Sequence, residues 1–226
     1  MATVTVTVTA TATVTAKPSQ PIDLKGVPSG ARLYLGISGG IDSAYLGWRL
    51  LLAGHPLLVN YTQYRTGQNR WPKEDVAYRA VLDWYISQGL TNWELLPVND
   101  VGFRHSIGYW LLDHEYLYGF LAGTQLRNKA RRDVRFLADS GHRNSRNRQD
   151  TTYQRIWKTL NLNAERKIRV VFPIQKLTKA QIIEDMPAEL LALTWSCRTP
   201  EGDKPCGECS TCKDISQAMG RNSSAR

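Results

Sequence analysis

Two groups of residues in this sequence have types and spacings suited to chemistry. The first is Ser38-Gly39-Gly40-Ile41-Asp42-Ser43, set between an apolar run and a helix-forming stretch. Paired glycines let the backbone turn tightly and come close to a ligand. The amide N–H groups then converge on one point as an anion nest. The helix behind the loop adds the positive end of its dipole. The hydroxyls of Ser38 and Ser43 can donate further hydrogen bonds, and Ile37 and Ala44 complete the cradle on either side. A pyrophosphate group suits such a cradle. Asp42 is the diagnostic residue, because a carboxylate beside phosphates is repulsive unless a cation lies between them. Mg2+ bridging Asp42 and phosphate oxygens resolves that repulsion, and capping of the following helix is the competing role for Asp42. The loop carries neither the Gly-Lys-Ser/Thr of a Walker loop nor the Gly-x-Gly-x-x-Gly of a dinucleotide site.

The second group is Cys197-x8-Cys206-x2-Cys209-x2-Cys212, which holds all four cysteines of the chain. Four thiolates suit tetrahedral Zn2+, and a shell with no open position is structural. An iron–sulfur cluster is the other group that four cysteines can ligate. A disulfide framework staples distant parts of a short secreted chain. A tight cluster near the end of a long chain reads instead as a metal site in a reducing, cytoplasmic setting.

Strands and helices must alternate to position these groups. Residues 32–37 read as a buried strand and 44–53 as a helix stopped by Gly54. Further strands are expected at 56–61, 93–98, 133–138 and 168–172, and further helices at 73–88, 107–122 and 153–160. Thr178 with Gln181 forms a capping-box pattern that starts another helix. The alternation predicts an α/β fold with a parallel sheet, whose ligands bind at the carboxyl ends of the strands. The expected organisation is an irregular N-terminal segment at 1–26, a main domain at 27–193 and a four-Cys segment at 194–226.

With 42% hydrophobic residues the chain can bury a proper core. No segment is long and apolar enough to span a membrane. Residues 1–16 alternate Thr with Val or Ala, without the basic start and continuous apolar run of a signal peptide. The formal net charge is +9, and residues 127–155 contribute nine Lys or Arg against three Asp. That stretch suits a nucleic acid, a nucleotide or simply solvent.

The order of the motifs resembles the 7-cyano-7-deazaguanine synthases (the QueC family), which join an N-terminal PP-loop to a C-terminal four-Cys zinc knuckle. The loop resembles the Ser-Gly-Gly-x-Asp-Ser of the ATP pyrophosphatases. Asn60-Tyr61-Thr62-Gln63 resembles the family's Asp-Tyr-Gly-Gln segment. Phe172-Pro173-Ile174, followed by Lys176-Leu177-Thr178-Lys179-Ala180, resembles its Thr-Pro-Leu segment and the Lys-Ala helix start behind it. Thr194-Trp195-Ser196-Cys197 and Pro205-Cys206-Gly207-Glu208-Cys209 resemble its Thr-Leu-Thr-Cys and Cys-Gly-x-Cys. There are departures on the substrate side. Ser106-Ile107-Gly108-Tyr109 stands where the family has Pro-x-Arg-Asn, and Thr62 replaces a glycine. Asp139-Ser140-Gly141-His142-Arg143 stands where it has a Tyr-Pro-Asp-Cys region.

The resemblance implies a PP-loop domain of the adenine-nucleotide-hydrolase type with a small zinc knuckle. It also implies ATP, Mg2+ and Zn2+ as cofactors, with a deazapurine acid and ammonia as partners. Residues 37–44 are then expected to hold the nucleotide, Asp42, Ser43 and Lys179 to be catalytic, and Tyr61, Gln63 and Arg143 to meet the substrate. A homodimer is compatible with the sequence. The rivals are a PP-loop enzyme acting on tRNA or another deazapurine, and a non-catalytic zinc module binding nucleic acid through the basic stretch. Sulfur-transferring PP-loop enzymes need a reactive Cys, whereas all four here are committed to the metal site.

Overall fold

The computed structural model describes residues 18–65, 70–102, 117–142 and 149–220. Its centre is the strand β1 (Leu33–Gly36), whose first three residues are buried. Strands covered on both faces read as continuous apolar runs, and β2 (Leu57–Asn60) is buried at all four positions for the same reason. After β2 the chain forms β3 (Thr62–Arg65), helix α1 (Ile41–Leu52) having joined β1 to β2. Helix α2 (Trp71–Ser87), β4 (Trp93–Leu95) and β5 (Asn99–Gly102) follow. Then come α3 (Tyr118–Leu126), a single 3-10 turn at Lys129–Arg131, β6 (Phe136–Ala138) and α4 (Gln149–Asn163). β7 (Arg169–Val171), α5 (Lys179–Asp185), α6 (Ala188–Ala192) and α7 (Ser210–Ala218) complete the described chain.

The main sheet has the order β4-β2-β1-β6-β7, with every pairing parallel. Alternate residues of β1 face opposite sides, as the pleat requires. Leu33 and Leu35 pack into one apolar layer with residues of α1, α2 and α5, and Tyr34 into a second with residues of α3 and α4. The strand order reverses beside β1, where successive connections run to β2 on one side and to β6 on the other. Ligand crevices open at such switch points, outside the carboxyl ends of the strands. One side chain pins that point. The Tyr118 hydroxyl accepts from the Gly36 N–H at 2.9 Å and donates to the Ala138 carbonyl at 3.2 Å, tying the ends of β1 and β6 together.

The five expected strands and the parallel sheet are present, with ends moved by no more than three residues. The β3–β5 ribbon is an addition, a parallel pair in which Thr62 faces Asn99 and Arg65 faces Gly102. Its residues, Thr-Gln-Tyr-Arg and Asn-Asp-Val-Gly, carry no apolar alternation. Pairing across 37 positions is a tertiary event that no local pattern announces. The expected helix at 107–122 is seen only in part, because 103–116 lie outside the described residues; helix α3 continues past it to Leu126. Helix α1 begins earlier than expected, directly on the glycine turn. The capping box at α5 is formed on both sides, with Thr178 Oγ1 accepting from Gln181 N–H. Pro187 ends that helix and holds Met186 extended.

Helix α5 lies along α1 and is fastened to it by two ion pairs. Lys179, its first residue, pairs with Asp42 in the first turn of α1. Asp185, its last, pairs with Arg49 seven residues further along α1, at 2.7 Å. A cation at the start of a helix and an anion at its end both oppose the helix dipole, by about 0.3–1 kcal/mol each. The placement of Lys179 and Asp185 therefore serves the neighbouring helix rather than α5 itself. Asp185 also accepts from Tyr45 Oη at 2.6 Å and from Ser19 Oγ and Gln20 N–H, drawing the segment before β1 onto the core. Ile22 and Leu24 of that segment pack against the same apolar layer.

Burial raises the Asp185 carboxyl, but the hydrogen bonds from Tyr45, Ser19 and Gln20 outweigh it and hold the group below the ordinary Asp value. Asp185 thus contributes stability that is present above about pH 4 and lost as pH falls through its lower folded value. Asp185→Asn leaves the Arg49 guanidinium, 8% exposed, without its partner. We expect a loss of about 3–5 kcal/mol in denaturant unfolding at pH 7. The difference from the unsubstituted protein should shrink below about pH 4, where the unfolded carboxyl takes up its proton before the folded one does.

Candidate functional site

The turn Ser38–Ser43 leaves the carboxyl end of β1 at the switch point. Gly39 has φ +76°, a left-handed conformation that disfavours any side chain, and a Cβ there would come within 2.6 Å of the Tyr78 amide nitrogen. Helix α2 thus packs directly on the bare backbone of the loop. Gly40 is the N-cap residue of α1 with an extended backbone and no side-chain cap, and Asp42 lies inside the first turn. This corrects the capping role that the sequence left open for Asp42. Ser43 is buried, and its hydroxyl accepts from Ser38 N–H at 3.2 Å and donates to the Gly40 carbonyl at 3.2 Å. It shapes the loop from within, while Ser38 stands exposed at the mouth. Ile37, Ile41 and Ala44 are buried, so their side chains serve the core and only their backbone can serve the cradle.

Three charged or polar groups from separate elements meet beside the loop. The Lys179 ammonium bonds the Asp42 carboxylate, and His142 Nε2 lies 3.8 Å from the other oxygen of Asp42. Lys179 is 5% exposed, and the capping box fixes the helix that presents it. His142 comes from the loop after β6. Burial pushes its imidazole below the ordinary His value, against the opposing pull of Asp42, so the ring is neutral at pH 7. Sequence reading missed His142 as a site residue, although its place just past a strand's carboxyl end was the available signal. An ammonium held against Asp42 removes the same repulsion from phosphate that the Mg2+ expectation assigned to a bound cation.

The residues expected to meet substrate divide. Gln63 lies on β3, partly exposed, and accepts from the Arg65 guanidinium at 3.2 Å. Tyr61 is 1% exposed and stacks on Tyr78 with ring centroids 3.7 Å apart. Arg143 lies outside the described residues. Two buried polar atoms at the end of β2, Asn60 Nδ2 and Tyr61 Oη, have no hydrogen-bond partner among the described residues. A buried donor without a partner costs about 1–3 kcal/mol. The basic stretch is placed differently from the loop. Its described part up to Arg135 precedes β6, at the amino edge of the sheet, whereas the phosphate loop leaves the carboxyl edge. There Arg127 pairs with Glu165, Arg131 donates to the Gln125 carbonyl at 3.0 Å, and Asp133 pairs with Arg32.

The four cysteines converge as their spacing requires. Their sulfur atoms all lie within 4.8 Å of one another, and Cys197 Sγ and Cys206 Sγ are 3.5 Å apart. Metal–sulfur distances of about 2.3 Å put the sulfurs of a tetrahedral zinc shell about 3.8 Å apart, so the donor set fits such an ion. Gly207, at φ +73°, makes the turn between the second and third cysteines. A hydrogen bond from the Thr199 hydroxyl holds the Cys206 thiol down at about 7. Burial pushes Cys197 and Cys212 up, so a bound cation is what would ionise those two. The segment entering this centre also touches the loop. Trp195 N–H donates to the Gly39 carbonyl at 2.8 Å, and Ile41 N–H donates to Ser196 Oγ at 3.3 Å.

The described residues thus form a parallel α/β sheet with a glycine loop at its switch point, and the segment carrying a four-cysteine cluster that can bind metal touches that loop. Residues 146–222 match the model of the family described as "Queuosine biosynthesis protein QueC". That segment carries Lys179, Ser196 and all four cysteines, and it meets the loop in space. The match covers about a third of the chain and does not include the glycine loop at 38–43. A search of the curated proteins found no match. Among solved structures, the chain is similar to "NMN synthetase from Francisella tularensis", with 14% identity over 89% of this chain and 82% of that one, at a TM-score of 0.46. It is also similar to "U34-tRNA thiolase NcsA from Methanococcus maripaludis with its [4Fe-4S] cluster", with 16% identity over 88% and 70%, at 0.44.

Gly39→Ala tests the loop. A left-handed backbone costs a residue with a side chain roughly 1–2 kcal/mol, and the Cβ would also meet Tyr78 N at 2.6 Å and Ala77 Cβ at 2.7 Å. The variant should unfold at lower denaturant than the parent by at least that much. Unchanged stability would mean that the turn is not built as described.

Proposed function

We propose that this chain uses ATP to adenylate a carboxylate and that its acid is 7-carboxy-7-deazaguanine, which ammonia converts to the 7-nitrile. The observation that carries this reading is the meeting of Asp42 in the phosphate loop with Lys179 from the family-matched segment. A carboxylate resists attack by ammonia because its leaving group would be oxide. Transfer of AMP to the acid, with loss of pyrophosphate, supplies a good leaving group. Ammonia displaces AMP to give the amide, and a second adenylation, at the amide oxygen, permits elimination to the nitrile.

The residues contribute positioning and electrostatics, the two largest resources for such a transfer. The Gly39–Ile41 backbone and Ser38 would bind the pyrophosphate end, and Lys179 would offset its growing negative charge. Asp42 would hold Mg2+ against phosphate oxygens, with Lys179 then free to turn toward the phosphates. The unpartnered Asn60 Nδ2 and Tyr61 Oη suit a heterocycle's acceptors at the end of β2. Gln63 lies at the same edge of the sheet, and Arg143 remains a candidate for the acid. Zinc is the metal proposed for the four cysteines, where it would hold the C-terminal segment folded. Residues 127–135 of the basic stretch, at the opposite edge, have no role in catalysis in this reading.

Incubation with ATP, Mg2+, ammonia and 7-carboxy-7-deazaguanine should yield the nitrile by mass spectrometry, with AMP and pyrophosphate released. Asp42→Ala should abolish pyrophosphate release while circular dichroism stays that of the parent. Full activity in that variant would remove Asp42 from the reaction. Metal analysis of protein purified without chelator should find about one zinc per chain, the stoichiometry of a closed four-Cys shell. A visible-absorbing iron cluster would replace zinc in this account.

A further inference from the structure

The peptide between Gly39 and Gly40 is the weak point of any phosphate nest built from this loop. In a trans peptide the carbonyl and the N–H point in opposite directions. A half-turn of the unit would therefore put the Gly39 carbonyl oxygen where the Gly40 N–H should meet an anion. Residues without side chains resist such a rotation least, and this unit lies between two of them. One contact holds its carbonyl and a second holds the amide of the next peptide, and both come from the same place. Trp195 N–H takes up the Gly39 carbonyl at 2.8 Å from the C-terminal side, which leaves the Gly40 N–H directed inward, toward Ser38 Oγ at 3.4 Å. Ser196 Oγ accepts from Ile41 N–H at 3.3 Å, fixing the next amide of the helix start.

We propose that Trp195 and Ser196 are positioning residues that lock the phosphate loop in its anion-binding form, and that metal bound by the four cysteines sets this lock. Cys197, the next residue, is one of the four sulfur donors, so the end of the brace is fixed once the cluster closes around an ion. The brace is steadied further by its own contacts. Trp195 Nε1 donates to the Cys197 carbonyl at 3.1 Å. The ring lies 5.9 Å from the Lys73 ammonium of α2, and Lys73 in turn pairs with Asp203 in the loop between the first two cysteines. The four-Cys centre thereby acts on the nucleotide site through the hydrogen bonds of Trp195 N–H and Ser196 Oγ and not through the metal's own charge. This inference rests on the nucleotide reading for its purpose but not for its geometry.

Hydrogen–deuterium exchange over residues 38–43 tests it without any substrate, in zinc-loaded and chelator-stripped protein and in Ser196→Ala and Ser196→Thr. Ser196→Ala should keep its zinc yet exchange faster at the Gly40 and Ile41 amides. Ser196→Thr, which retains the hydroxyl, should exchange like the parent, and stripped parent protein should exchange like Ser196→Ala or faster. Titration with inorganic pyrophosphate and Mg2+ should show about fivefold weaker binding by Ser196→Ala, the equivalent of one net hydrogen bond. Parent-like loop exchange in Ser196→Ala at full zinc content, or in stripped protein, overturns the proposal. Coupled exchange in a protein that binds no pyrophosphate would sustain the brace and remove the nucleotide reading instead.

Discussion

One ion pair joins the two halves of this protein's chemistry. Asp42 and Lys179 are 137 residues apart in the chain. A carboxylate in this loop would repel the pyrophosphate group proposed to bind there. Lys179, almost fully buried, relieves that repulsion within the protein itself. A largely buried pair of this kind gives little net stability, because desolvation offsets most of the attraction. Removing one partner is costly, however, since it strands the other charge. The pair is therefore better understood as a constraint on position than as a source of stability.

That constraint is doubled. Helix α5 bonds the start of α1 through Lys179 and its end through Asp185, so the two helices run side by side in the same direction. The seven-residue separation of Asp42 and Arg49 brings both to one face of α1, two turns apart. Both charges on α5 sit at the wrong ends for its own dipole, which shows that pairing to α1 overrides local helix preference there. Because α1 springs directly from the glycine turn, anything that fixes α1 fixes the direction of the loop amides. Tyr118 does the same for the other side of the turn by tying Gly36 to Ala138.

The C-terminal segment closes the arrangement from the third side. Its cysteines are brought together by a turn at Gly207 and by helix α7, whose N-cap is Cys209. The residues leading into it reach the loop backbone. The cysteine cluster and the glycine loop, separate motifs in the sequence, are neighbours in space, within three residues of each other along Trp195-Ser196-Cys197.

The sequence by itself determined what local geometry controls. A paired-glycine turn between a strand and a helix, a Thr178–Gln181 capping box and a Cys-x2-Cys turn each close over a few residues. Their residue types therefore announced the glycine turn, the start of α5 and the convergence of the cysteines. The apolar runs likewise announced the five strands of the parallel sheet. Only the tertiary structure decided the rest. It set the pairing of polar β3 with β5, the arrival of His142 and Lys179 at Asp42, and the burial of Tyr61 against Tyr78. It also put residues 127–135 at the amino edge of the sheet, away from the loop. These contacts join positions tens to more than a hundred residues apart. They form because the sheet order and helix packing bring them together, and no local spacing encodes that.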